Sequence, residues 1–541
     1  MPYVAAEDAA AGGHNQAAGM GPHAAGATMP AAGASAPPPA PKPLMPLFMP
    51  PARGFSAGLS LQLSAADPLD TVHYTLDGSL PTASSPVYGA PLAIEKTTLV
   101  RARVTRGTQL GAVVNQAYVA LAADAKVFDS NLPVLVIHRQ GGDAPDAYSR
   151  EYVPALLLQF EPGKARTKLD GPATYSSRLG IKVRGRSTRN QPKPSYTLEL
   201  WGDTDDDAPY GLLGMPADGD WVLYAPYTFD RALLRNAFIY ELSNRIGRYA
   251  PRTRFCEVFV VTGSDALTRA SYVGVYSLTE RISRGPQRVP IQKLSTSQIT
   301  EPTITGGYIV QIDAPDELDE AFQAAGTTFV YVQPKADDIV PEQTEYIESY
   351  LDSWQRAISA TDGKDAMTGK PYTELMDSAA FIDHHILNML AKNPDAFELS
   401  SYMYKDRGGA LFAGPIWDFD ISMGGHDAWG DRTLDPTHWG PGSSDSNFGR
   451  AHYGELFEHS EFTAAYWARW KALLAGHFNS AEFHTLIESM KASLAEAEAR
   501  NRARWPEAGP RNGSYDDEVE FLEQWLDQRL TWLKANVGTL P

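Results

Sequence analysis

The order of hydrophobic periodicities along the chain constrains its fold more than any other feature. Up to about residue 334, most apolar segments are short and alternate with polar residues, as in "LSLQLS", "SYTLELW" and "GGYIVQID". This period of two is typical of β-strands. Later segments are longer and carry apolar residues at helical spacing, as in "DDEVEFLEQWLDQRLTWLKANVG". Strands followed by helices predict an α+β fold.

The composition divides the chain into three predicted parts. Residues 1–50 are rich in Ala, Gly and Pro, a composition that predicts a disordered tether. Short strands at 51–125 predict a small Ig-like β-sandwich, within which "YTLDGSLPTASSPVY" resembles the chitobiase C-terminal-like module found beside secreted carbohydrate-active enzymes. Residues 126–541 form the predicted main domain.

The charge balance narrows the possible partners and locations. The chain carries 65 acidic and 47 basic residues, a net charge of -18, and such a chain would be repelled by a phosphate backbone. We therefore expect no nucleic-acid partner. No apolar run is long enough to predict a transmembrane segment. We expect a secreted or cell-surface protein whose signal is absent from this chain, with a cytoplasmic location as the alternative.

Two carboxylates interrupt the apolar segment "GPIWDFDISMGG". If this segment is an extended strand, Asp418 and Asp420 project from one face about 7 Å apart. Oxygen ligands at such a spacing suit one or two divalent cations, which would offset the cost of burying the charges. The sequence thus predicts a metal site here.

A third carboxylate, Asp395, lies in "AKNPDAFELSSYMYKD", between a predicted helix and a predicted strand. Protein kinases present a catalytic aspartate and then a metal-binding aspartate in this order along the chain. In kinases a glycine follows the Asp-Phe pair of the metal-binding motif, whereas here the next residue is Asp420.

A basic segment, "KVRGRSTRNQPKPSYTLEL", lies between two predicted strands of this acidic chain. Its cations could cradle an anion such as a polyphosphate, or could pair with nearby carboxylates on the surface. The residue types alone leave both interpretations open. The candidate side chains are Arg184, Arg186, Arg189 and Lys193.

Taken together, residues 130–540 resemble the CotH family of atypical kinase-like proteins. The matching motifs occur in order: "VRGRSTRNQPKPSYTLEL", "DWVLYAPYTFDRALLRNAFIYELSNRIGRYAPRTRFCEVFV", "YVGVYSLTERI", "GGYIVQID", "NPDAFELSSYMY" and "PIWDFDISMGG". The resemblance implies a two-lobed, kinase-like fold, with a strand-rich lobe at about 126–340 and a helical lobe at about 341–541. It also implies an enzyme that uses ATP and Mg²⁺ or Mn²⁺ to phosphorylate Ser/Thr hydroxyls of secreted, coat or surface proteins.

The resemblance assigns the residues that would bind ATP. Lys193 would hold the nucleotide phosphates, and Glu280 of "LTERI" would be its carboxylate partner. Arg184, Arg186 and Arg189 are candidates for contacts to the phosphate tail.

The same resemblance assigns catalysis and the metal. Asp395 would orient or deprotonate the acceptor hydroxyl, Asp418 would ligate the metal and Asp420 would be a second metal contact. Where the family commonly has a metal-binding asparagine, this chain has Ser400, a shorter and neutral oxygen donor. The second lysine usual in the basic motif is Pro194 here.

These departures keep two other functions under consideration. One is a catalytically idle scaffold of a coat or cell surface. The other is a role with carbohydrate, in which the β-sandwich binds a glycan or cell-surface polymer. Catalytic glycoside hydrolysis fits less well, because its two carboxylates flank a sugar whereas Asp418 and Asp420 are predicted to emerge side by side from one strand.

Overall fold

The structure is a computed structural model that describes residues 43–140, 144–163, 165–263, 266–315, 320–426, 430–444, 446–538 and 540. Most of the predicted tether, residues 1–42, lies outside the described residues. Its last part contains strand β1, Pro46–Met49, which pairs with a later strand. The first sheet therefore begins before the predicted boundary at residue 51.

Seven strands between residues 46 and 120 form two sheets that share one apolar core. After β1 the strands are β2 (Arg53–Phe55), β3 (Leu59–Ala65), β4 (Thr71–Thr75), β5 (Leu92–Ile94), β6 (Thr98–Arg106) and β7 (Gln109–Ala120). The sheet orders are β1-β3-β5 and β2-β7-β6-β4. Leu61 of β3 and Val100 of β6 meet in the common core, so the two sheets face each other as in a β-sandwich.

A closed barrel of seven strands follows, in the order β10-β12-β13-β14-β16-β15-β9. The elements of this region are α1 (Ala123–Lys126), β8 (Asp129–Ser130), β9 (Val134–Arg139), β10 (Val153–Phe160), β11 (Thr167–Lys168), β12 (Tyr175–Arg184), β13 (Ser195–Trp201), β14 (Asp220–Tyr224), α2 (Arg235–Arg245), β15 (Thr253–Thr262) and β16 (Tyr272–Glu280).

Alternation along the barrel strands explains how the barrel and the sandwich pack. On β10, Leu157 joins the barrel interior with Leu198 and Trp221. Its neighbour Leu158 belongs to a separate core that also includes Val119 of β7. Successive strand residues point to opposite faces, so one strand fills the barrel and contacts the sandwich.

β8 and β11 pair with each other, and the remaining strands form a five-stranded sheet in the order β18-β19-β17-β20-β21. These strands are β17 (Tyr308–Ile312), β18 (Ala321–Ala324), β19 (Thr327–Gln333), β20 (Ser401–Lys405) and β21 (Leu411–Ala413). Strands from both sides of position 340 belong to this sheet, so a lobe boundary there would divide it. The two-lobed, kinase-like arrangement stays a prediction.

Helices dominate the rest of the chain and enclose the largest apolar core. They are α3 (Pro341–Ser359), α4 (Tyr372–Leu375), α5 (Ser378–Ala391), α6 (Tyr453–Leu456), α7 (Ser460–Ala475), α8 (Ser480–Leu494), α9 (Ala497–Arg504) and α10 (Tyr515–Asn536). The N-terminal end of α10 is capped by the Ser514 side chain, which accepts from the Asp517 N–H at 3.2 Å. The structure thus confirms the predicted mixture of α-helices and β-strands. None of the described helices is long and apolar enough to span a membrane.

The barrel interior predicts a clear stability contrast. Leu198 is 0% exposed inside the barrel, whereas Leu69 is 92% exposed on the sandwich. We expect Leu198→Ala to lower the free energy of unfolding by about 2–5 kcal/mol, because it leaves a cavity. Leu69→Ala should change it by less than about 0.5 kcal/mol. Urea unfolding followed by tryptophan fluorescence measures both, and equal losses would contradict a packed barrel core.

Candidate functional site

The segment that carries Asp418 and Asp420 is not the predicted strand. Strand β21 ends at Ala413, and residues 414–419 have no regular structure. Asp418 adopts a left-handed backbone conformation with φ 63°, which ends the strand-like alternation of side chains. Asp418 is exposed whereas Asp420 is buried. The predicted placement of both carboxylates on one strand face is therefore wrong.

Helix α2 supports this irregular backbone. The Asn236 side-chain oxygen accepts from the Phe419 N–H at 2.7 Å, and the Tyr240 hydroxyl accepts from the Asp418 N–H at 2.9 Å. These contacts replace the strand hydrogen bonds that the segment does not make. The two acceptor residues, Asn236 and Tyr240, lie about one helical turn apart on α2, so a single face of the helix fixes the two peptide groups.

A buried ion pair fixes the next part of the segment. Asp230 and Arg235, each with a side chain 1% exposed, are joined at 2.8 Å. Arg235 Nε also donates to the carbonyl oxygen of Ser422 at 3.0 Å. The guanidinium thus connects the start of α2 to the backbone just beyond Asp420, and removing either charge would leave the other buried without its partner.

Asp418 and Asp420 lie within electrostatic reach of each other and of Asp395. Asp418 is exposed on one side, yet the protein packed around it removes part of its hydration and raises its pKa to about 6, with Arg184 opposing the rise and Asp395 adding to it. Burial raises the pKa of Asp420 well above its usual value, and the charge of Asp418 adds to this shift. The Tyr224 hydroxyl donates to Asp420 at 3.0 Å. The three predicted carboxylates therefore interact electrostatically, because Asp395 raises the pKa of both Asp418 and Asp420.

The loop after α5 positions Asp395. The Asn393 side-chain oxygen accepts from the Asp395 N–H at 3.1 Å. One Asp395 carboxylate oxygen lies 3.6 Å from Nη2 of Arg432. Ser400, with φ 51°, directly precedes β20. Within the ranges that the structure describes, no group of three or more His, Cys, Asp or Glu side chains forms a metal-binding cluster.

The predicted phosphate-binding arginines occupy different surroundings. Arg184, at the end of β12, stacks on Trp417 with its Cζ 4.9 Å from the ring centroid. Trp417 directly precedes Asp418 in the sequence. Arg186 is exposed in the following loop. Arg189 stacks on Tyr148 at 4.5 Å. Of the three, Arg184 is the one whose contacts place it at the carboxylates.

Lys193 is not at the carboxylates. Its side chain is buried, and Nζ donates to the carbonyl oxygens of Pro226 at 2.9 Å and Val275 at 2.6 Å and to Asn501 Oδ1 at 3.0 Å. Burial lowers the pKa of Lys193 to about 7, while these three acceptors favour its charged form. All three ammonium hydrogens are thus directed at protein groups.

Glu280 does not pair with Lys193, so the predicted ion pair is wrong. Its buried carboxylate accepts from Arg252 Nη2 at 2.7 Å and from the Tyr249 hydroxyl at 3.0 Å. The reason lies in the strand geometry of β16. Lys193 bonds to Val275, five residues before Glu280, and at strand spacing this separates the two positions by roughly 17 Å.

Three residues at the carboxylates were not assigned a role from sequence. The Tyr224 hydroxyl donates to Asp420, and Asp313 adds to the rise in the pKa of Asp418. Burial lowers the pKa of Arg184, and the charge of Arg281 adds to this shift. Each stands at or next to the end of a quoted strand motif, "DWVLY", "GGYIVQID" or "YVGVYSLTERI". A polar residue at a strand end was the available signal, but such residues are common at strand ends for other reasons.

Comparison with protein families agrees with this arrangement of motifs. The family model described as CotH kinase protein matches residues 181–533, which include the basic loop and all three carboxylates. This chain belongs to the CotH kinase family. A second model, described as Fn3 associated, matches residues 61–118 within the β-sandwich that precedes the CotH domain. No curated protein matches the chain.

The environment of Lys193 predicts a structural role for its ammonium. We expect Lys193→Met to lower the free energy of unfolding by about 1–3 kcal/mol, because buried acceptors lose their donor. Lys293→Met, at an exposed position, is the control and should leave stability unchanged. Chemical denaturation measures the difference. A stable Lys193→Met variant that had lost ATP binding would instead support the role assigned from sequence.

Proposed function

We propose that this member of the CotH kinase family is an ATP- and divalent-metal-dependent protein kinase. Its substrates would be Ser/Thr hydroxyls on secreted, coat or cell-surface proteins. The observation that carries the proposal is the gathering of Asp395, Asp418 and Asp420, with Arg184 beside them. Three acidic groups that act on one another raise the free energy of the folded protein. A bound cation would offset this cost, and such groups with shifted pKa values are typical of functional sites.

The donor set fits Mg²⁺ or Mn²⁺. Mg²⁺ is commonly bound by one or two carboxylates, with water and substrate phosphates completing its ligands. Asp418 and Asp420 would hold the metal, and the Ser400 hydroxyl would be a further oxygen donor. Bound there, the cation would neutralise charge on the transferring phosphoryl group.

The chain's own side chains would bind the phosphates and accept the proton. The Arg184 guanidinium suits phosphate oxygens, with Arg186 and Arg189 on the adjoining loop. Neither Lys193 nor Arg281 is added to this set, because Lys193 donates to buried carbonyl oxygens and Arg281 pairs with Asp220 at 3.0 Å. The Asp395 carboxylate would hold the acceptor hydroxyl in place and accept its proton as the oxygen bonds to phosphorus.

Phosphoryl transfer from radiolabelled ATP to casein, with Mg²⁺ or Mn²⁺, tests the proposal. We expect Asp395→Asn and Asp418→Asn each to reduce transfer by about 100-fold or more, because each removes a charge that acts in the transition state. Asp337→Asn, at an exposed position, is the matched control and should transfer at the wild-type rate. Equal transfer by wild type and Asp418→Asn would refute the proposal.

Metal binding should depend on pH through Asp418. Because the pKa of this carboxyl is raised to about 6, protons should compete with the metal as the pH falls below that value. We expect the Mn²⁺ affinity to fall by about 10-fold between pH 7 and pH 5. Isothermal titration of the full chain measures it, with Asp418→Asn as a weaker, less pH-dependent control. A constant affinity would contradict the assignment of Asp418 as a ligand.

A catalytically idle scaffold is the second candidate function. Ser400 in place of the family's asparagine and the buried position of Lys193 favour it. A scaffold would show neither phosphoryl transfer nor heat of ATP binding in the presence of Mn²⁺. Measurable ATP binding that is lost in Arg184→Gln would count against this candidate.

We further propose that the protein acts outside the cytoplasm and that its β-sandwich binds a glycan or cell-surface polymer. The support is the resemblance of the sandwich to modules found beside carbohydrate-active enzymes. The sandwich contacts the barrel, as where Arg101 Nη2 donates to the carbonyl oxygen of Asp203 at 2.7 Å. Binding should therefore be assayed on a glycan array with the full chain.

A further inference from the structure

Residues 430–444, which we call the clamp loop, connect the Asp418 segment to the later helices and contact the Asp395 loop. Thr433 is buried in the clamp loop, and its hydroxyl donates to the carbonyl oxygen of Ile421 at 3.1 Å. The indole N–H of Trp525, on α10, donates to the Thr433 carbonyl oxygen at 2.7 Å. Thr433, which directly follows Arg432, is thus hydrogen-bonded both to the Asp418 segment and to α10.

Two buried cations fix the other part of the clamp loop. Lys392, which is 0% exposed, donates to the carbonyl oxygens of Asp435 at 2.7 Å, Thr437 at 2.5 Å and Gly442 at 2.9 Å. Arg529, also 0% exposed, donates to Pro436 O at 2.8 Å. Burying two cations is costly. Lys392 donates to carbonyl oxygens of this loop, and Arg529 donates both to this loop and to the carbonyl oxygens of Met389 and Leu390 on α5.

The loop also closes on itself around Arg432. The Gly442 N–H donates to the Arg432 carbonyl oxygen at 2.6 Å. Lys392 stands only three residues before Asp395, so the same lysine ties the clamp loop to the chain segment that carries the predicted catalytic carboxylate. These anchors hold the backbone of the clamp loop against the chain segment that leads to Asp395.

From this position in the clamp loop, the Arg432 side chain reaches the Asp395 carboxylate. Its Nη2 lies 3.6 Å from Asp395 Oδ1, and the two side chains are 30% and 31% exposed. This separation is that of an ion pair and exceeds a normal hydrogen-bond length. Asp395 and the acidic Asp418 and Asp420 repel one another, and the positive charge of Arg432 opposes this repulsion at Asp395.

We propose that Arg432 is a positioning residue for Asp395 that keeps its carboxylate aimed at the acceptor hydroxyl. This inference rests on the proposed kinase function. In that reaction the hydroxyl oxygen bonds to the γ-phosphorus of ATP and its proton passes to Asp395. The bond from the γ-phosphorus to the bridging oxygen breaks, and ADP leaves with the electron pair. Arg432 touches none of the reacting atoms and acts through Asp395.

Steady-state phosphorylation of casein by the full chain, with varied ATP, tests the inference. We expect Arg432→Gln to lower kcat by about 10-fold, because a small misplacement of the reacting groups is costly. The KM for ATP should stay within about 2-fold of wild type, because Arg432 is assigned no contact to the nucleotide. Arg432→Lys, which keeps a cation, should recover most of the lost kcat.

The control is Arg450→Gln. Arg450 donates to the carbonyl oxygen of Pro394 at 2.9 Å and lies 3.6 Å from Glu398, so it contacts the same loop without reaching the Asp395 carboxylate. We expect it to lower kcat less than Arg432→Gln does. Thermal melting of each variant separates misfolding from a kinetic effect.

The outcomes distinguish failure of the kinase function from failure of this inference alone. A wild-type chain that transfers no phosphate would overturn the kinase function and this inference with it. An active wild type with an unchanged or raised kcat in Arg432→Gln would overturn the inference alone. Equal losses in Arg432→Gln and Arg432→Lys, or in Arg432→Gln and Arg450→Gln, would show a merely structural role and also overturn it.

Discussion

The attachment of the Asp418 segment to helix α2 is the interaction on which the rest of the site depends. Three acidic side chains gather around this segment, and their repulsion and loss of water oppose folding. Arg184 opposes the repulsion by its charge, while Asn236, Tyr240 and Arg235 of α2 hold the backbone of the segment through hydrogen bonds. These contacts act on the backbone, so they hold the loop while leaving the two carboxylates for other partners.

Buried cations that donate to backbone carbonyls recur throughout the structure. Lys193 joins two barrel segments to Asn501 near the end of α9, and Lys392 holds the clamp loop. Lys405 joins the loop after β20 to the segment before β17, because it donates to Gly409 O at 2.8 Å and to Thr305 O at 2.6 Å. An ammonium has three donors on a flexible stem, so a single lysine can satisfy several carbonyls of an irregular segment that lacks strand or helix partners.

The fold was largely predictable where local patterns and packing agree. The segments "SYTLELW", "DWVLY" and "SYMYK" coincide with β13, β14 and β20, because each alternating pattern matches a strand with at least one buried face. The alternating pattern of "PIWDFDI" also predicts a strand, yet Asp418 has a left-handed backbone conformation. That conformation depends on donors and acceptors from α2, nearly 180 residues earlier, which no local pattern contains.

For the site, the sequence by itself determined the family and identified the three candidate carboxylates. Both depend on motifs that are recognised by their residue types and their order along the chain. The sequence could not determine which basic residue reaches the carboxylates. Only the tertiary structure placed Arg184 beside Asp418 and directed Lys193 into a buried set of carbonyls. The reason is physical: the motif fixes which charges are present, whereas strand registry and burial decide which of them meet.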